Sequence, residues 1–67
     1  MAKPEWLLQF FSCDAHPPML REVVRPFETL AHGLVDTLPS NPERTVALRS
    51  LLGAQEAALR AFFAKEV

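Results

Sequence analysis

Two clusters of cationic side chains carry the chemistry that this 67-residue chain offers. Arg21 and Arg25 stand one helical turn apart just after His16-Pro17-Pro18, and Arg44, Thr45 and Arg49 open the last predicted helix. A guanidinium forks onto phosphate or carboxylate with two parallel hydrogen bonds, each contributing about 1.5–3 kcal/mol. Backbone N–H groups at the starts of two helices favour the same anions. The aromatic run Trp6-Leu7-Leu8-Gln9-Phe10-Phe11 lies upstream, and a ring at its edge can stack on a nucleobase for about 1–3 kcal/mol. Anion binding with stacking suits a small anionic aromatic ligand. The competing reading is structural, with the arginines paired to acids or solvated and the aromatics in the core; composition alone favours it about two to one.

Catalytic chemistry finds little here. The sequence has no tyrosine and no glycine-rich phosphate loop. Cys13 is the only cysteine, which excludes an internal disulfide and a Cys-rich zinc site. With only His16 nearby to stabilise a thiolate, Cys13 reads as a small apolar filler. Glu28, His32 and Asp36 recur at four-residue steps, a spacing that can hold a metal but more often marks a solvated helix face. The expectation is therefore no enzyme, no metal and no cofactor.

Seven Lys/Arg against eight Asp/Glu give a formal charge of −1. A DNA or RNA polymer partner is not expected without a basic excess. Glu5 interrupts the N-terminal apolar run, so it does not read as a signal peptide, and no stretch reads as a membrane span. The expectation is a cytosolic protein.

The elements that must position these groups follow from periodicity, and the fold class expected is all-α in a single domain, 1–67. A short helix over 4–12 begins at Pro4 and gathers Trp6, Leu7, Phe10 and Phe11. A long helix over 18–38 carries Leu20, Val24, Phe27, Ala31, Leu34 and Leu38 as a coiled-coil seam. Pro26 interrupts it, predicting a kink there or an irregular turn before it. The second long helix, over 42–65, starts at Ser40-Asn41-Pro42-Glu43, where either Ser40 or Asn41 can cap. Leu48, Leu51, Leu52, Leu59, Phe62 and Phe63 form its apolar stripe, with alanines beside it. The two long helices should make an antiparallel hairpin. With 49% hydrophobic residues and no disulfide, so small a hairpin is expected to oligomerise into a helical bundle.

The aromatic segment, His16-Pro17-Pro18, Arg25, Phe27, Leu30-Ala31 and then Pro42-Glu43-Arg44-Thr45-Val46-Ala47-Leu48-Arg49 through Leu52, Ala54, Ala57 and Ala58 together resemble the helical hairpin domain of phage anti-CBASS sponge proteins, a domain name shared with the anti-Thoeris sponges. The resemblance covers about Trp6 to Ala64. It implies a protein that binds cyclic oligonucleotide second messengers without cleaving them, in the cytoplasm of the infected bacterial host. It implies homo-oligomers, from dimer to hexamer, with cyclic dinucleotide pockets between protomers and cyclic trinucleotides at separate ones. Carried onto this sequence, the dinucleotide residues are Phe11 for stacking, Arg25 and then Arg21 for polar contacts, and His16 and Pro17 for the pocket wall. Arg44, Thr45 and Arg49 match the trinucleotide site. Cys13, Asp14 and Ala15 stand where the family pattern has an aromatic. The alternative function is a small helical adaptor or regulator that binds a protein partner through its apolar faces.

Overall fold

The structure is a computed structural model that describes residues 5–64. Those residues are mostly helical and include no strand. The expected helix start at Pro4 and helix end at Lys65 lie outside the described residues. A 3₁₀ helix spans Trp6–Phe11, and two 3₁₀ turns, Cys13–Ala15 and Pro18–Leu20, lead into α1 (Arg21–Thr37). After a four-residue connection comes α2 (Pro42–Phe63). No helix among the described residues is long and apolar enough to cross a membrane.

The first segment is 3₁₀ rather than α. Leu7 and Phe11 are buried, whereas Trp6 and Phe10 are exposed and meet edge to face with centroids 5.1 Å apart. The four aromatic-run residues therefore split into an inner pair and an outer pair. The start of the segment is tied: Glu5 accepts from the Leu7 N–H, and its other oxygen accepts from Arg44 of α2.

α1 begins later than the sequence suggested, because Pro17 and Pro18 hold the chain extended and then in a 3₁₀ turn. The helix then runs unbroken through Pro26 to Thr37. Pro26 sits in its second turn and brings no N–H to the Glu22 carbonyl. The 3₁₀ turn Pro18–Leu20 lies at the start of the predicted helix and not at Pro26. Pro39 ends the helix by forcing Leu38 into extended backbone. Leu38 is exposed in consequence, while Val24 and Ala31 of the same seam are fully buried.

α2 starts as its sequence dictates. Asn41 is the cap: its side chain accepts from the Arg44 N–H at 2.9 Å, and Pro42 fills the first position, where no N–H is needed. Ser40 does not take this role. The core lies where the first segment, α1 and α2 meet: Leu7, Phe11, Ala31 and Leu48, flanked by Leu8, Phe27, Leu34, Val35, Leu51 and Leu52. α2 outlasts α1 by five residues, 22 against 17. Phe62 and Phe63 at its end remain exposed, edge to face at 5.1 Å.

Candidate anion site at the start of the first long helix

Cys13 anchors the connector that precedes α1. Its N–H donates to Glu28 Oε2 at 3.2 Å, and its thiol stands 3.7 Å from the Arg21 carbonyl. Burial, reinforced by the Glu28 carboxylate, pushes the thiol pKa up. A thiol held protonated is a poor nucleophile, in keeping with the filler reading. Hydrogen bonding from Cys13, thiol first and then N–H, holds the Glu28 pKa below its ordinary value. Glu28 is therefore engaged with the connector. Among the described residues no group of three or more His, Cys, Asp and Glu stands together as a metal site.

His16 follows directly. Its Nδ1 lies 2.8 Å from the Ser12 carbonyl, a contact that requires a proton on Nδ1. The ring orientation is thereby fixed by its own connector. Pro17 is exposed beside it.

Arg21 opens α1 half-buried, and its Nε is shielded from solvent without an acceptor. A guanidinium N–H deprived of water and left unpaired costs free energy until an acceptor arrives. Leu20, in the capping position, offers no side-chain acceptor to the helix start either. Arg25 is one turn on. It pairs with Glu22 at 2.8 Å, but the two side chains are 57% and 82% exposed. Glu22 also heads the causes that raise the Arg25 pKa, so the guanidinium stays charged. So exposed a pair exchanges partners at little cost.

The residues at the start of α2 are disposed differently. Arg44 donates to Glu5 Oε2 at 2.9 Å and to the Leu38 carbonyl at 3.1 Å, with a longer contact to the Val35 carbonyl at 3.5 Å. The Arg44 and Glu5 side chains are only 11% and 15% exposed. Arg44 thus satisfies the C-terminal carbonyls of α1 and ties the first segment to α2, which removes it as a ligand residue in the single chain. Thr45 is half-buried and its N–H donates to the Asn41 carbonyl. Arg49 is exposed and forms no salt bridge among the described residues. The trinucleotide trio is not brought together as three free donors.

Phe11 requires the same correction. Its ring is fully buried in the core, so it has no face for a base; the exposed ring beside it is Phe10. Gln55 is the polar residue that sequence reasoning missed. It is 2% exposed, its Nε2 donates to the Phe10 carbonyl at 2.8 Å, and its Oε1 has no donor. The available signal was its position, seven residues after Leu48 and four after Leu51, inside an otherwise apolar stripe.

No pocket opens among the described residues of one chain. Comparison with protein-family models, with curated proteins and with solved structures returned no match.

Proposed function

We propose that this chain is a non-enzymatic binding protein that sequesters cyclic di- or trinucleotides, acting as a phage sponge against host antiphage signalling in the bacterial cytoplasm. The observation that carries the reading is the Arg21 guanidinium, its Nε desolvated and without an acceptor, one turn from the exposed Arg25. Arg25 can leave its exposed partner Glu22 for a phosphodiester, and the outer guanidinium nitrogens of Arg21, one turn away, can join it. Phe10, exposed next to Trp6, replaces Phe11 as the stacking ring. The order and spacing of the sequence features supports the same reading.

In this reading α1 and α2 form an antiparallel hairpin and several hairpins assemble, so that the ligand lies between protomers. Calorimetry against a panel of cyclic di- and trinucleotides is the test. Saturable binding, with intact ligand recovered after denaturation, is the expected result. Cleaved ligand would make the protein an enzyme. Silence across the panel would leave the adaptor, whose support is the exposed apolar side chains.

A further inference from the structure

Gln55 is the residue that the anion site leaves unexplained. It is 2% exposed within an otherwise apolar stripe, and its Oε1 has no donor. A leucine there would bury as well, without the cost of an unpaired amide oxygen. What the amide supplies is one bond, from Nε2 to the Phe10 carbonyl at 2.8 Å. That carbonyl lies at the end of the first 3₁₀ segment, which stops at Phe11. Had the segment run on, the Phe10 carbonyl would accept from the Cys13 N–H, three residues along. Instead the Cys13 N–H donates to Glu28 Oε2 at 3.2 Å. Gln55 of α2 and Glu28 of α1 thus take the two halves of the backbone bond that would have continued the helix.

We infer that Gln55 and Glu28 are positioning residues for the outward aromatic pair: by ending the first segment at Phe11, they present the Phe10 ring to a stacked base and keep the Phe11 ring in the core. The role deepens the cyclic-nucleotide reading above and rests on it for its ligand. At three residues per turn, neighbouring side chains diverge by about 120°, so only one of two adjacent rings can point inward. Phe11 is 0% exposed, against 38% for Phe10 and 63% for Trp6. Gln55 grips the main chain of Phe10 and leaves its ring free. Trp6 then meets that ring edge to face, and its own carbonyl accepts from Gln9 Nε2 at 3.0 Å. A stacking ring whose backbone is already held loses less freedom when a base arrives.

The chemistry of each side chain matches the half it takes. A carbonyl needs a donor, and the amide of Gln55 has one; an N–H needs an acceptor, and the carboxylate of Glu28 is one. A carboxylate at position 55 would set like partial charges against each other, and an apolar residue would leave the carbonyl unmet. One clamp comes from each long helix, so the ring pair is placed by the packing of the whole hairpin and not by the six residues of its own segment.

Trp6 is the only tryptophan, so its near-ultraviolet circular dichroism reports the ring pair, while calorimetry with the cyclic di- and trinucleotide panel reports the site. Gln55→Met keeps the volume and removes the donor. Glu28→Ala removes the acceptor, whereas Glu28→Gln keeps one. Well below the thermal midpoint, and with far-ultraviolet spectra that show the helices intact, Gln55→Met and Glu28→Ala should each flatten the Trp6 band. Each should also weaken nucleotide binding about tenfold, as for one lost base stack. Glu28→Gln should keep both signals. Combining Gln55→Met with Glu28→Ala should lose little more than either alone, because both act on the same helix end. A less stable Gln55→Met with an unchanged band and unchanged affinity would make Gln55 structural and overturn the role. Additive losses in the combined variant would overturn the shared clamp. A wild type silent across the panel would remove the ligand reading, and the Trp6 band of Gln55→Met would then decide the ring placement by itself.

Discussion

The starts of the two helices are built from similar residues and end in opposite states. Each follows a proline-containing turn and carries an arginine in its first turn. At α2, Asn41 caps the helix, and Arg44 is shared among the end of α1, Glu5 and its own helix. At α1, Leu20 offers no cap, Arg21 Nε has no acceptor, and Arg25 holds only an exposed glutamate. The α2 start is closed, and the α1 start is not. An arginine near a helix start is therefore not by itself a binding residue; what decides is whether carbonyls and carboxylates of the same chain already occupy it.

The largest expected effect falls on the closed start. Arg44→Ala removes the Glu5 pair and the Leu38 carbonyl bond and leaves both acceptors poorly hydrated. The loss should be about 2–3 kcal/mol, a fall of roughly 10–20 °C in Tm for a domain of this size. Thermal unfolding followed at 222 nm reads it directly. A shift of only a degree or two would mean that the closed start is open after all. The cap is next: Asn41→Ala should cost about 1 kcal/mol, measured as a lower urea midpoint with an unchanged slope.

Much of the fold was legible because it rests on local periodicity. Val24, Ala31 and Leu48 are buried where the helical stripes put them, and Pro42 marked the start of α2, with the cap left open between Ser40 and Asn41. The aromatic segment was harder. The inward pair is Leu7 and Phe11, and the periodicity of adjacent aromatics does not tell Phe10 from Phe11. The roles of Arg44 and Gln55 were not legible, since their partners Glu5 and Phe10 lie 39 and 45 residues away. Such contacts depend on how the first segment lies along α2, which no local pattern encodes. Likewise the Cys13 N–H to Glu28 bond spans 15 residues and joins two residues that had been weighed for separate, unrelated chemistry.

The contact between Cys13 and Glu28 braces the open start, and pH can expose it. The folded Glu28 pKa lies below its ordinary 4.5, so its ionised form stabilises the fold. That contribution is full above pH 4.5 and is lost as pH falls through the folded value. Glu28→Gln should cost about 1 kcal/mol at pH 7, and the difference from wild type should shrink below pH 4.5. Urea midpoints across pH 3–7 measure this. A gap that persists undiminished at pH 3 would show that the side chain acts by packing and not by charge.

The smallest stability effect, and the sharpest separation of the two starts, belongs to Arg25. Its side chain is 57% exposed and its partner Glu22 is 82% exposed, so solvent replaces the pair with little loss. Arg25→Ala should leave the thermal midpoint of the ligand-free protein nearly where it was, in contrast to Arg44→Ala. Cyclic-nucleotide affinity should move the other way, falling about tenfold to a hundredfold, as expected for one charge-assisted bond to phosphate. Glu22→Gln sharpens the comparison, because it releases Arg25 without removing it and should leave affinity equal to or above that of the wild type. Parallel melting and calorimetry of the three proteins decide the matter. Unchanged affinity in Arg25→Ala would pass the anion to Arg21, whose unpaired Nε remains at the same helix start. A large loss of ligand-free stability would instead make Arg25 a second Arg44, and the difference between the two helix starts would disappear.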